Sequence, residues 1–176
     1  MTRRSSFAPI VRSDTTLLLL GSLPGEASLS AARYYAHPRN QFWRLVGPVI
    51  GRKELHHLCY EQKLAALAEA GVGLWDVVAD AVRPGSLDGA IRDHRPNDLK
   101  RLVDSLPVLR AIGFNGGTAA RIGRKLIGDS GDLMLQDLPS SSPAYTLSYT
   151  EKLLLWAELR EFVDPARNFP GNRPKF

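Results

Sequence analysis

The sequence predicts an α/β protein, a three-layer α/β/α fold with a central four-stranded parallel sheet. Strand-sized apolar runs alternate along the chain with segments of helical period. The first run, Thr15-Thr16-Leu17-Leu18-Leu19-Leu20, is continuously apolar from Leu17 and stops at Gly21, the pattern of a strand buried on both faces. Alternating strands and helices imply right-handed crossovers and a sheet covered on both sides. A length of 176 residues with 44% hydrophobic content suits one domain over 1–176, with 1–14 and 165–176 expected to be flexible.

The remaining elements follow in order. The spacings of Phe42, Trp43, Leu45 and Val46 suit a helix starting near Asn40. A helix from Glu61 to Ala70 ends at Gly71, and Val72 to Val78 reads as a second strand running into a loop, with Asp76 near its end. Arg83 to Asp98, rich in Pro, Gly, Asp and Arg, reads as a long connection, and Asn97-Asp98 offers an N-cap for a helix from Leu99 to Leu106. Val108 to Phe114 is the third strand, Gly117 to Leu126 a helix, Leu133 to Leu138 the fourth strand, and Glu151 to Val163 a closing helix. In such folds ligands sit beyond the carboxyl ends of the strands, here the segments after Leu20, Val77, Phe114 and Leu138.

Composition narrows the classes. The chain carries 23 Lys+Arg against 18 Asp+Glu, a net +5 that favours an acidic partner without identifying it. One cysteine, Cys59, excludes an intrachain disulfide, and the four histidines form no metal-ligand spacing with it. Arg3 and Arg4 are not followed by an apolar run of signal-peptide or membrane length, so a cytoplasmic protein without membrane contact is expected.

Two strand-end segments stand out. GSLPG (Gly21 to Gly25) is followed by AHPRNQFW (Ala36 to Trp43), and LPSSSPAYT (Leu138 to Thr146) follows the fourth strand. Taken separately, Asn40 is an N-cap by its spacing, Asn115-Gly116 a turn signal, and Ser142-Pro143 a turn. Taken together and in order, these segments resemble the motifs of the uracil-DNA glycosylase superfamily over about Leu17 to Thr146. The nearest resemblance is to its hypoxanthine-DNA (deoxyinosine) glycosylase branch, with a GS-x-PG first motif, an H-P-x-N-x-F-W stretch and an LPS-x-SPA second motif.

The resemblance implies a monofunctional glycosylase that hydrolyses the N-glycosidic bond of a deaminated base in DNA, chiefly deoxyinosine, as a monomer with no metal or organic cofactor. The mismatch-specific uracil and thymine glycosylases are also similar, but there an Asn of GINPG positions the attacking water, and the matching residue here is Leu23. The hypoxanthine branch implies that Asn40 takes this role. A neutral amide suffices, because an oxocarbenium-like sugar needs its water held in line more than deprotonated.

Gly21, Ser22, Leu23, Tyr35 and Asn115 are expected to form the base pocket, and Phe42, which with the adjacent Trp43 is assigned to packing, is the candidate for a pocket wall. Tyr35 supplies the stacking face, Asn115 a base-edge contact, and backbone N–H groups at Ser22 or Gly25 meet charge developing on the leaving base. His37 either braces its loop or donates a proton. Ser140, Ser141, Ser142, Pro143, Ala144 and Tyr145 would grip the DNA strand, with Arg39, Arg83, Arg92 and Arg95 in loops along the DNA face. In relatives a Leu after the second motif wedges into the stack. Ala144 is too small for that, which leaves Tyr145 or a residue up to Tyr149. Three alternatives stay open: a uracil or mismatch-specific glycosylase, a non-catalytic nucleic-acid-binding module that Leu23 would suit, and a serine hydrolase using Ser22 or Ser141, although neither lies in a G-x-S-x-G elbow.

Overall fold

The computed structural model describes residues 3–163. Its centre is a four-stranded parallel sheet of β2 (Leu17–Gly21), β3 (Val72–Asp76), β6 (Ala111–Asn115) and β7 (Met134–Leu138), in spatial order β3-β2-β6-β7. In β2 every leucine is fully buried because successive side chains leave opposite faces of a covered sheet. Leu17 and Leu19 enter a core with Phe42, Leu45, Leu67 and Trp156. Leu18 and Leu20 enter a second core with Leu99, Phe114, Ala119 and Ile122. The first face is covered by α2 (Phe42–Val49), α3 (Tyr60–Glu69) and α6 (Tyr149–Ala157), the second by α4 (Leu99–Asp104) and α5 (Gly117–Ile127).

Register brings the strand ends level. Gly21 stands opposite Asp76 across β2 and β3, and Asn115 opposite Leu138 across β6 and β7. Since β3 and β6 flank β2 on opposite sides, the chain reverses its winding at the carboxyl end of β2, the place where open α/β sheets form a ligand crevice.

Local chemistry accounts for most element ends. Asp98 caps α4 by accepting from Arg101 N. Ser148 and Glu151 form a reciprocal capping box, so the closing helix begins at Tyr149, before the expected Glu151. That helix tightens into a 3-10 turn at Glu158–Phe162. Gly71, at φ +76°, ends α3 in a conformation that side chains rarely adopt. A short helix missing from the expectation, α1 (Glu26–Ala31), opens directly from the GSLPG loop.

Two expectations are corrected. Residues 3–14 are not a loose arm: β1 (Arg3–Ser5) pairs antiparallel with β4 (Val78–Val82), and Ile10 bridges Leu74. The expected strand Val72 to Val78 is two strands in different sheets, parted at Val77, and the expected long connection contains β5 (Arg92–Pro96) on the far side of β4. This second sheet, β1-β4-β5, sends Val78 and Ala81 of β4 into the second core and carries a charged cluster beside them. Asp80 on β4 meets Arg3 Nε at 2.6 Å and Arg95 Nη2 at 2.7 Å. The expectation for 165–176 lies outside the described residues. No helix among the described residues is long and apolar enough to cross a membrane.

Gly123 on α5 faces Phe114, and a Cβ there would overlap the Phe114 ring, whereas none of the described residues stands within 4 Å of one at Gly117. Gly123→Ala should therefore lose on the order of 1–3 kcal/mol despite its better helix propensity. Urea unfolding checks this, with Gly117→Ala as the comparison expected to change little.

Candidate active site

The carboxyl ends of the parallel strands open into one cleft of about 700 Å³. The GSLPG loop and the floor residues Tyr35 and Asp76 form one side, and Asn115 with the second motif, Ser140 to Tyr145, forms the other. Gly21, Ser22, Leu23, Tyr35, Asn40 and Asn115 all line it. Phe42 does not: its fully buried ring lies behind Tyr35, with ring centroids 3.7 Å apart and planes 9° apart. Gly21 has to be glycine, since a Cβ would come within 2.7 Å of Asp76 Oδ1 and 3.1 Å of Tyr35 Oη.

Asn40 lies just before α2, half-buried on the cleft wall. Its Oδ1 accepts from Phe42 N at 2.9 Å, and its own N–H donates to His37 O at 2.9 Å. The helix-start interaction and exposure to the cleft thus coexist in one side chain. A carbonyl oxygen has two acceptor directions, so the bond to Phe42 orients the amide and leaves the second direction for another donor. His37 accepts from Arg39 N through Nδ1 at 3.1 Å, which puts the proton of its neutral ring on Nε2. It braces the loop and also lines the cleft.

Asn115 is committed to the second motif. Its Nδ2 donates to Ser141 Oγ and its Oδ1 accepts from Ser141 N, each at 2.8 Å and buried. Ser141 O in turn accepts from Gln41 N at 2.9 Å. Ser141 therefore points inward as a tie, while Ser140 and Ser142 are half-buried and Pro143, Ala144 and Tyr145 are exposed. The hydroxyls of Ser140 and Ser142 accept from Ser142 N at 3.1 Å and Ala144 N at 3.2 Å, curling the loop on itself. Ser22 donates to Asp88 Oδ1 at 2.6 Å. With these partners neither Ser22 nor Ser141 is paired to a histidine, the arrangement a serine nucleophile needs.

Three charged residues of the site were not legible as such in the sequence. Arg83, expected to face DNA, is buried. Its guanidinium donates to Leu23 O at 3.0 Å, to Pro24 O, and through Nε to Gly85 O at 3.1 Å, clamping the first loop from behind. Lys152, on the closing helix, is 1% exposed. Its Nζ donates to Gln41 Oε1 at 3.0 Å and Tyr145 O at 2.9 Å, and lies 5.4 Å from the Tyr145 ring centroid. Burial lowers its pKa. Arg95, also expected at the DNA face, is paired with Asp80 instead, and Arg92 bonds the carbonyls of Gly89 and Ile91. Arg39 stays exposed.

Asp76 is the third. It ends β3 on the cleft floor, 3% exposed, with Oδ2 accepting from Ser6 Oγ at 2.7 Å. Burial pushes its carboxyl up to about 7, helped by the negative charge of Asp88 and opposed by the Ser6 and Tyr34 hydroxyls and by Arg83. Burial also raises Asp88, against the Ser22 hydrogen bond. The Tyr35 hydroxyl is enclosed and has no partner at hydrogen-bonding geometry among the described residues, and burial first, then Asp76, pushes its pKa up while the nearby Asn115 amide opposes this. Among the described residues no group of three or more His, Cys, Asp or Glu side chains is placed to hold a metal.

Folding raises the Asp76 carboxyl from 3.8 to about 7, so across that interval the native chain holds a proton that the unfolded chain has released. The contribution of this group to stability is full at low pH, declines as pH rises toward 7, and is constant above. Asp76→Asn should abolish that decline, so that the variant gains on wild type between about pH 4 and about pH 7. Urea midpoints across a pH series measure it.

Residues 8–164 match the profile of the Uracil DNA glycosylase superfamily. A protein of Methanosarcina acetivorans named hypoxanthine DNA glycosylase is 40% identical over 141 residues, 80% of this chain and 87% of the relative. One of the same name from Methanosarcina barkeri is 40% identical over 114 residues, 65% of this chain and 72% of the relative. The solution NMR structure of a candidate uracil DNA glycosylase from Methanosarcina acetivorans matches with a TM-score of 0.80 at 37% identity, covering 92% of this chain and 99% of that one. The sequence motifs, the parallel sheet with its strand-end cleft and the profile match over most of the chain agree: the chain belongs to the uracil DNA glycosylase superfamily.

Proposed function

We propose that the chain hydrolyses the N-glycosidic bond of deoxyinosine in DNA, releasing hypoxanthine and leaving an abasic site as the first step of base excision repair. The observation that carries this reading is the Asn40 amide on the cleft wall, already oriented by its bond to Phe42 N. Two relatives reported above carry the name hypoxanthine DNA glycosylase, which supports the choice of base.

The target nucleotide must leave the stack to reach the cleft. Its base stacks on Tyr35, whose ring Phe42 backs from behind. As the bond from C1′ to N9 lengthens, positive charge grows on the sugar and negative charge on the purine. The free acceptor direction of Asn40 Oδ1 takes a hydrogen bond from water and holds it in line with C1′. The water oxygen bonds to C1′ as the C1′–N9 bond breaks and the base leaves with its electron pair, and the proton shed by the water to solvent is balanced by the one the purine takes up to become hypoxanthine. Leu23 is buried in the second core, with its carbonyl held by Arg83, and takes no part in positioning water.

Asp76 is suited to meet the purine edge. Ionised, it accepts from N1–H. Protonated, it donates to O6 or N7 and favours departure of the base. Since its carboxyl is pushed up to about 7, the donating form is present at neutral pH. Ser140, Ser142 and the exposed Pro143–Tyr145 segment contact the strand, while Ser141 and Asn115 hold that segment against α2.

Asn40→Ala should lower single-turnover cleavage of a deoxyinosine duplex by roughly 100-fold or more with duplex binding largely retained. Unchanged cleavage would remove Asn40 from the mechanism. On a panel of duplexes with hypoxanthine, uracil, xanthine or mismatched thymine, hypoxanthine should be released fastest, and preferential release of uracil would overturn the choice of base. The cleavage rate should fall as pH rises through about 7 in wild type, and this fall should be absent in Asp76→Asn. A pH–rate profile at saturating enzyme reads it.

A further inference from the structure

Extruding a nucleotide leaves a gap in the duplex, and apolar side chains pushed between base steps are a common way to fill or open it. The second motif presents Ala144 where a larger residue is needed. Its neighbour Tyr145 is 48% exposed, but its ring is engaged by the Lys152 ammonium group, 5.4 Å from the ring centroid.

A better-placed side chain faces it across the cleft. Six large hydrophobic residues are exposed among those described, and of these only Leu87 and Tyr145 line the cleft. Leu87 is 61% exposed on the loop between β4 and β5 and belongs to neither core. Single exposed leucines are ordinary on protein surfaces. This one differs in how firmly its surroundings are held.

Around Leu87 the loop is fastened to the first motif. Arg83 bonds Gly85 O within the loop and Leu23 O and Pro24 O in the first motif. Ser86 Oγ accepts from Glu26 N at 3.0 Å. Asp88 accepts from Ser22 Oγ at 2.6 Å. Leu87 O closes a 3-10 turn by accepting from Ala90 N at 3.0 Å. The residues on both sides of Leu87 are thus anchored to the loop that lines the cleft floor, while its isobutyl group projects from the rim. A stiffly mounted apolar side chain loses little conformational freedom on entering a base stack, and its removal from water favours entry.

We propose that Leu87 is the wedge: it enters the duplex as the damaged nucleotide turns into the cleft, supplying from the β4–β5 loop what the second motif lacks at Ala144. This rests on the glycosylase reading given above. Tyr145, on the opposite rim, stays with its own loop against the strand.

A wedge matters where a stack must be opened and much less on an unpaired strand. The test compares cleavage of deoxyinosine in duplex and single-stranded oligonucleotides by wild type, Leu87→Ala, Leu87→Met and Tyr145→Ala. Leu87→Ala should lose kcat/KM on duplex by roughly tenfold more than on single strand, and Leu87→Met should restore most of the loss. A second readout does not need turnover: 2-aminopurine beside a 2′-fluorinated, non-hydrolysable deoxyinosine should brighten on binding wild type and much less on binding Leu87→Ala. Equal losses on the two substrates, or a duplex-specific loss in Tyr145→Ala with none in Leu87→Ala, would overturn the proposal. A wild-type chain that brightens the probe through Leu87 but cleaves no deoxyinosine would overturn the choice of base or reaction and support the wedge.

Discussion

The site depends first on Ser141. Its N–H and hydroxyl are both engaged by the Asn115 amide, and its carbonyl accepts from Gln41 N. One residue thus joins the end of β6, the second motif and the start of α2, bringing together segments some hundred residues apart in sequence. Each such bond adds only about 1 kcal/mol net, but leaving one of these buried groups without a partner costs about 1–3 kcal/mol. The alternatives to this arrangement are therefore poor, and Asn40, one residue before Gln41, takes its place on the cleft wall from it. Lys152 reinforces the same junction from beneath, since its ammonium bridges Gln41 and the carbonyl of Tyr145.

The opposite wall uses the same device with a different cation. Arg83 gathers the carbonyls of Leu23, Pro24 and Gly85, groups that no sheet or helix would satisfy in so tight a loop. Its charge also makes the nearby carboxylates tolerable, although burial prevails and both Asp76 and Asp88 are raised. A partly protonated floor suits a reaction that builds negative charge on the leaving group. It also limits repulsion of a phosphate backbone that the cationic surface of a chain with net charge +5 attracts.

What was legible in the sequence follows from which forces have a linear signature. The parallel strands show as apolar runs because both faces are buried, and β2, β6 and β7 appear near their expected places. The β1-β4-β5 sheet has none of that signal. Its strands read RRS, VADAV and RDHRP, and it is joined by Arg3, Asp80 and Arg95, a pairing visible only once the chain is folded. In the cleft, Tyr35, Asn40 and the second motif could be singled out because their order resembles a family pattern. Arg83 and Lys152 could not, since such residues are almost never buried, and only tertiary contacts reveal the carbonyls that hold them. Asp76 was visible as a strand end, while its perturbed ionisation comes from burial that no local pattern records. Phe42 packs in the first core and is not the candidate pocket wall, since adjacency in sequence to the site says nothing of which ring stands in front.

That ordering of rings bears on how the cleft receives a base. Tyr35 sits at φ +53°, in the left-handed region where a bulky residue is an outlier. Such a conformation costs on the order of 1–3 kcal/mol and persists only when its surroundings determine it. Here the parallel face of Phe42 at 3.7 Å, itself wedged edge-on against Trp43 and Trp156, supplies that determination. Relaxing the Tyr35 backbone would swing the ring off Phe42 and unpack the first core beside it. The strain is therefore carried in the free protein, so that on the proposed function a base stacking on Tyr35 would meet a platform already in place. An aromatic on an unstrained, mobile loop would have to be ordered at that moment, drawing on the same stacking energy that is needed to hold the nucleotide outside the helix.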